Sequence, residues 1–161
     1  MSTFVALHVT RSHVIHLPAA LHQVFPLFEP LGEKHWAAGW DPEMLYPPSG
    51  VASVGTIFTT HHANEPAKIW TIIAYEREQA HVTYFNILPG SHTSWIDVRC
   101  ESAGTQASIA HITYTLTALT PQGNTYLAAF TQEYYQTWIA SWQTAISHYL
   151  LHGQMFSHEE E

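Results

Sequence analysis

A stretch near the C-terminus limits the fold more than any other feature of this chain. Residues 125–152 contain neither proline nor glycine, and Gly153, a residue type that commonly ends helices, follows them. Apolar side chains recur here every three or four residues, the spacing of one helical face: Leu127, Phe130, Tyr134, Trp138, Trp142, Ala145 and Tyr149. The sequence therefore predicts one long amphipathic helix, which must bury this face against another element.

Five extended segments come before this helix, with turn residues between them. They are 56–61, 67–76, 81–88, 93–101 and 106–119. Strands that follow one another through short turns form an antiparallel meander. We therefore expect an antiparallel sheet with one face covered by the long helix.

The N-terminal part predicts one further strand and two short helices. Segment 5–17 is rich in β-branched residues, which favour a strand, and this strand is expected to join an edge of the meander. Pro18 opens a helical stretch that ends by Pro30, and 32–40 predicts a second short helix or turn. Segment 40–50 predicts a loop because it holds three prolines and a glycine.

This order of elements indicates the fold class. Strands grouped apart from helices are typical of α+β proteins rather than of alternating α/β proteins. The length suits one domain spanning 1–161, and the acidic tail 154–161 is expected to be flexible. The predicted structure is a curved antiparallel sheet with two short helices after its first strand and a long C-terminal helix across it.

The composition indicates a large apolar interior. Hydrophobic residues make up 46% of the chain and aromatic residues 13%, whereas charged residues make up only 11%. Aromatic side chains with polar ends, such as tyrosine and tryptophan, suit a pocket for a small molecule that is partly apolar. A small hydrophobic molecule is therefore the expected partner.

Charge and residue usage argue against several other partners. The formal net charge of −8 does not suit nucleic acid, which requires clustered lysine or arginine. No apolar run is long enough for a membrane span, and no signal peptide is recognisable, so a cytoplasmic protein is expected. Cys100 is the only cysteine, and the thirteen histidines are scattered, so neither a metal site nor a cofactor is expected.

Two histidine pairs illustrate why no metal site is expected. His61 and His62 are adjacent on a predicted strand and should point to opposite faces. His148 and His152 have the four-residue helical spacing of zinc ligands, but they lack the glutamate of a metalloprotease motif between them.

Several local sequences resemble one superfamily along about 14–151. Ile15-His16-Leu17-Pro18-Ala19 resembles its strand-to-helix opening, and Val54-Gly55-Thr56-Ile57-Phe58 resembles its glycine-led second strand. Residues 36–42 resemble its tryptophan-bearing loop, and residues 70–76 followed by 81–84 resemble its central hairpin. The chain thus resembles the START/Bet v 1-like (SRPBCC) superfamily, including its polyketide cyclase/dehydrase and Hsp90-ATPase-activator-like branches.

This resemblance implies a helix-grip fold with a cavity between the sheet and the long helix. Members share no common catalytic residues, so the resemblance carries no reaction. Binding of a small hydrophobic or aromatic ligand is the first hypothesis. A polyketide cyclase/aromatase-like enzyme is the second, with Tyr84, Tyr114, Tyr134 and Asn86 as the polar groups near the cavity, and an Hsp90-activator-like interaction module is the third.

Strand alternation sorts side chains into inner and outer sets. Ile96, Val98, Ile112 and Tyr114 should face the cavity, while Asp97 and Arg99 should form a surface ion pair and His111 should face outward. Aromatic residues of the long helix either fill the core or line the cavity. The candidate ligand-contacting residues are Trp40, Phe58, Tyr84, Ile96, Val98, Ile112, Tyr114, Phe130, Tyr134 and Trp138.

Two further features leave alternatives open. In 67–76, Lys68 and Glu76 mark the even positions as outward, yet Trp70 and Ile72 share that parity. Either a β-bulge intervenes or a second subunit covers the outer face, which would make the protein a homodimer. Asp41 is the acid to test first for a functional role, although an aspartate before proline is also a common turn former.

Overall fold

The computed structural model describes residues 3–157, and its centre is one seven-stranded antiparallel sheet. The strand order is β1-β7-β6-β5-β4-β3-β2, so the first strand pairs with β7 and forms an edge, as predicted. The strands are β1 His8–Leu17, β2 Glu43–Tyr46, β3 Ile57–Thr60, β4 Lys68–Glu76, β5 His81–Leu88, β6 His92–Gly104 and β7 Ala107–Ala118.

Short helical turns follow β1, and two helices follow β7. The first group comprises α1 Leu21–Val24 and the 3-10 helices Phe25–Phe28 and Gly32–His35; the second comprises α2 Pro121–Ala129 and α3 Gln132–His152. Another 3-10 turn, Arg77–Gln79, joins β4 to β5. The α+β helix-grip fold predicted from the sequence is confirmed. No helix within residues 3–157 is long and apolar enough to cross a membrane.

The prediction of one unbroken helix over 125–152 is wrong at its N-terminal end. Phe130 has φ −85° and ψ 65°, which interrupts the helical backbone between α2 and α3. The Thr131 hydroxyl then accepts a hydrogen bond from the Tyr134 amide at 3.1 Å and caps α3. A threonine cap starts a helix without any proline or glycine, so the proline- and glycine-free run concealed this boundary. Gly153 ends α3 with φ +70°, as predicted.

The predicted loop 40–50 contains a strand, which corrects that assignment. β2 pairs with β3 at the sheet edge opposite β1. Pro42 and Pro47 flank this strand, and a short edge strand tolerates neighbouring prolines because one of its sides needs no ladder hydrogen bonds. The start of β1 also lies at His8 rather than at residue 5.

A β-bulge accounts for the ambiguous parity of β4. Its register with β5 shifts between Ile72 and Ala74, so Trp70 and Ile72 face inward while Glu76 lies outside. The expectation that Lys68 faces outward is wrong, because Lys68 shares the inward parity of Trp70. A covering subunit is not needed to explain the pattern.

The outer face of β6 and β7 matches the predicted alternation. Arg99 Nε lies 3.1 Å from Asp97 Oδ2, which confirms the ion pair, and His111 is exposed. The pKa of the Asp97 carboxyl lies below its ordinary value: burial acts to raise it, but hydrogen bonds from His81 and Thr83 outweigh burial.

The buried line of α3 holds the helix on the sheet. Tyr135, Ile139 and Ile146 have no exposed surface. The Tyr135 hydroxyl donates a hydrogen bond to the Ile112 carbonyl of β7 at 2.5 Å. This line is rotated from the predicted stripe, whose member Tyr134 is 55% exposed.

Removing the Tyr135 hydroxyl should weaken the attachment of α3 to β7. Tyr135→Phe deletes a buried hydrogen bond, so we expect the free energy of unfolding to fall by about 1–2 kcal/mol. The exposed neighbour Tyr134→Phe is the matched control and should change stability by less than about 0.5 kcal/mol. Urea denaturation measures both; equal effects of the two variants would contradict the role of the Tyr135–Ile112 bond.

Candidate functional site

A cavity of about 430 Å³ lies between the concave face of the sheet, segment 33–40 and helix α3. This volume falls within the range of small-molecule sites, about 300–1,000 Å³. Inward side chains of β4–β7 form one wall, and the 3-10 segment and α3 form the other. The long helix thus covers a cavity as well as a packed core.

Five of the six tryptophans line this cavity in two groups. Trp36, Trp138 and Trp142 form the group at α3, with ring centroids 5.6 Å apart for Trp36–Trp142 and 5.1 Å apart for Trp138–Trp142. Trp40 and Trp70 form the second group, 5.4 Å apart. The cavity therefore has aromatic surface on both of its walls.

Hydrogen bonds fix three of these indole rings. Trp36 donates its ring N–H to the Leu27 carbonyl at 2.7 Å, and Trp40 donates to the Pro30 carbonyl at 2.7 Å. Trp70 donates to the Thr60 hydroxyl at 2.9 Å. Each of these hydrogen bonds holds its indole ring in one orientation before any ligand binds. The two walls are therefore preorganised.

The 3-10 helix Gly32–His35 carries an acid into the cavity. A Cβ atom on Gly32 would lie 1.8 Å from the Pro26 carbonyl oxygen, so only glycine permits this close approach. The approach places Glu33 and Trp36, one turn apart, among the residues that line the cavity.

Glu33 is a desolvated carboxyl group. Burial raises its pKa well above the ordinary value, and no charge or hydrogen bond within residues 3–157 offsets that effect. Burial also raises the pKa values of the Tyr84 and Tyr114 hydroxyls, and the nearby Glu33 carboxylate adds to both shifts. Tyr84 donates to the Phe28 carbonyl at 2.7 Å, whereas Tyr114 lies in the cavity wall against Trp138.

A second group of ionisable residues lies where β4 and β6 begin. Burial lowers the pKa of Lys68, and Glu65 partly offsets the shift. The Lys68 Nζ atom lies 5.7 Å from the Trp70 ring centre. His92 stacks on Tyr126 with centroids 4.3 Å apart. Burial and then Lys68 lower the pKa of His92 to about 4, so its imidazole is neutral at pH 7.

Asn86 supplies an unpaired polar atom to the same cavity. It is 1% exposed, and its Oδ1 atom has no hydrogen-bond partner within residues 3–157. Buried acceptors are almost always paired in native proteins, so an unpaired one at a cavity wall indicates a donor supplied from the cavity.

The ten residues predicted from the sequence do not all reach the cavity. Eight line it: Trp40, Tyr84, Ile96, Val98, Tyr114, Phe130, Tyr134 and Trp138. Phe58 and Ile112 are fully buried and lie behind the lining. Phe58 stacks on Trp70 instead, because Trp70 reaches the cavity ahead of it.

The ten predicted residues omit several polar or aromatic members of the site, among them Glu33, Trp36, Lys68, Trp70, His92 and Trp142. Only the shared parity of Lys68 and Trp70 in β4 could have indicated two of them. The predicted acid Asp41 is exposed and does not line the cavity. Among residues 3–157, no group of three or more histidine, cysteine or acidic residues could hold a metal ion.

Comparison with solved structures finds proteins similar to this chain, whereas comparison of sequences does not. No protein-family model matches the chain, and neither does any curated protein sequence. The norcoclaurine synthase of Thalictrum flavum, solved in complex with dopamine and hydroxybenzaldehyde, is similar with a TM-score of 0.65 at 15% identity. That match covers 91% of this chain and 88% of the synthase chain.

Two further solved structures are similar. Hypothetical protein jhp0584 of Helicobacter pylori has a TM-score of 0.70 at 9% identity, covering 88% of this chain and 87% of the other. DynU16, a protein of the dynemicin biosynthetic locus, has a TM-score of 0.60 at 12% identity, covering 90% of this chain and 48% of DynU16. At these identities likeness establishes fold alone, and the chain has the Bet v 1-like helix-grip fold of the START/SRPBCC type.

Proposed function

We propose that this protein binds a small aromatic ligand in the cavity between the sheet and α3. The observation that carries the proposal is the cavity of about 430 Å³ with tryptophans on both walls. A space of this size between well-packed elements leaves apolar surface uncovered, and an apolar ligand would cover it. The unpaired Asn86 Oδ1 atom also supports a bound ligand, because a ligand could donate a hydrogen bond to it.

One structurally similar protein supports the proposal that the ligand is a small aromatic molecule. Norcoclaurine synthase holds dopamine and hydroxybenzaldehyde, both small aromatic molecules, on the same fold. For the present chain, the eight predicted residues that line the cavity are the proposed ligand contacts, together with the tryptophans that sequence reasoning missed.

Filling the cavity from the sheet side should abolish binding. Val98 is 2% exposed and lines the cavity, so the larger side chain of Val98→Phe would occupy ligand space. We expect the affinity for the neutral fluorescent probe N-phenyl-1-naphthylamine to fall at least about tenfold, or about 1.4 kcal/mol. Fluorescence titration measures the loss.

The matched control places the same change outside the cavity. Val14 is 40% exposed and does not line the cavity, so Val14→Phe should leave probe affinity within about twofold. A wild-type protein that binds no probe, or a Val98→Phe variant that binds it normally, would contradict the proposed site.

A second candidate function is supported by the ionisable groups of the cavity. Glu33, Lys68 and Tyr114 line the same cavity, and each has a pKa shifted by burial. Shifted groups in a cavity are candidates for proton transfer. The likeness to DynU16, from a biosynthetic locus, is compatible with cyclase-like chemistry on a polyketide.

If the protein is an enzyme, the turnover rate should depend on the Tyr114 hydroxyl, as the proton-transfer group, more than on its ring. If the protein cyclises a poly-β-keto thioester, Tyr114→Phe should lower kcat by about 10²-fold with little change in KM. Tyr46→Phe, at an exposed position outside the cavity, should retain kcat within about threefold. Product formation at the rate of the protein-free reaction would exclude the enzyme hypothesis and leave binding.

A further inference from the structure

We propose that the ligand is a protonated arylalkyl amine, whose ammonium group pairs with the Glu33 carboxylate beside Trp36 and Tyr114. This inference rests on the proposed function and names the chemical class of ligand. It follows from three observations: an uncompensated acid, the aromatic surface around it, and the kind of polar group left unpaired.

Within residues 3–157, no lysine or arginine side chain pairs with Glu33. The chain has five lysine and arginine residues, and each lies elsewhere. Arg11 donates to the Phe130 carbonyl, and Arg99 pairs with Asp97. Lys34 is exposed, Lys68 lies by Glu65 and Trp70, and Arg77 lies by Tyr75.

A carboxyl without a partner inside a cavity has two low-energy states. It takes up a proton, or it pairs with a cation that enters from outside. Burial of Glu33 favours the protonated state when the cavity is empty. A bound ammonium ion would reverse that preference, because it supplies both the missing charge and N–H donors.

The lining near Glu33 suits a cation with an apolar body. Trp142 contacts both Trp36 and Trp138, and Tyr114 packs against Trp138 and Trp142 with centroids 5.2 and 6.3 Å apart. Aromatic faces attract ammonium groups, and tryptophan does so most strongly. The same rings can pack against an aryl group without burying any polar group of the protein.

The second unpaired group also requires a donor. Asn86 Oδ1 is an acceptor, and Asn86 lies two residues along β5 from Tyr84 on the same face. An anionic ligand would be repelled by an ionised Glu33, and its charged group would supply no donor to Asn86 Oδ1. The cavity does contain Lys68, but Glu65 lies beside it and supplies the opposite charge.

The test compares three probes of one shape. They are 2-phenylethylammonium, the neutral isostere propylbenzene and the anion 3-phenylpropanoate, each competing with N-phenyl-1-naphthylamine for wild-type protein at pH 8. We expect the ammonium ion to bind about tenfold more tightly than propylbenzene, and the anion to bind least.

A charge-deleting variant ties this preference to one residue. Glu33→Gln should lower the affinity for 2-phenylethylammonium about tenfold and leave that for propylbenzene within about twofold. Glu43→Gln, on exposed β2 outside the cavity, is the matched control and should change neither affinity.

The pH dependence in wild-type protein needs no variant. An amine binds the ionised carboxylate, so its affinity should rise with pH toward the raised pKa of Glu33 and then level off, while propylbenzene affinity stays flat. Tyr84 and Tyr114 face Glu33 and remain neutral here, because burial raises their pKa values. Lys68 and His92 lie where β4 and β6 begin, and neither contributes to the pKa shift of Glu33. His92 stays neutral above pH 5.

The outcomes separate the two proposals. If none of the neutral and cationic probes binds, the proposed function itself fails. If propylbenzene binds as tightly as 2-phenylethylammonium at pH 8, or if Glu33→Gln lowers both affinities equally, the amine assignment is overturned while aromatic-ligand binding stands. Should Glu33→Gln not fold, the wild-type probe comparison and its pH profile decide alone.

Discussion

The hydrogen bond between the Tyr135 hydroxyl and the Ile112 carbonyl sets how closely α3 approaches the sheet. A fully buried tyrosine must place its hydroxyl on an acceptor, so this bond fixes both the depth and the rotation of the helix. Tyr135, Ile139 and Ile146 then fill the space on one side of α3. Trp138 and Trp142 are left facing the cavity, where they pack against Tyr114 instead of sheet backbone.

Periodicity explains how much of this arrangement was predictable. The alternating strands, the edge position of β1 and the C-terminal helix follow from spacing over many residues, and the structure confirms them. Single-residue events were not predictable in this way. The cap at Thr131 and the bulge after Ile72 each depend on hydrogen bonds at one position, and such events leave no repeating pattern in the sequence.

The candidate site was predicted unevenly for the same reason. Its sheet residues, such as Ile96, Val98 and Tyr114, follow from parity, because one face of each strand must be apolar. Lys68 shares that face but looks like a surface residue, and only three-dimensional proximity to Trp70 explains its burial. Glu33 lies in a short polar turn, where no periodic rule indicates which side chain points inward.

The contact between Gly32 and the Pro26 carbonyl has a consequence for comparing sequences. Any side chain at position 32 would push the turn away from Pro26 and withdraw position 33 from the cavity. The acid is therefore useful only in chains that retain the preceding glycine. Among distant proteins with this fold, a Gly-Glu pair between the first strand and the tryptophan-bearing loop would identify those that share this acidic end of the cavity, even where overall identity is too low to align the rest.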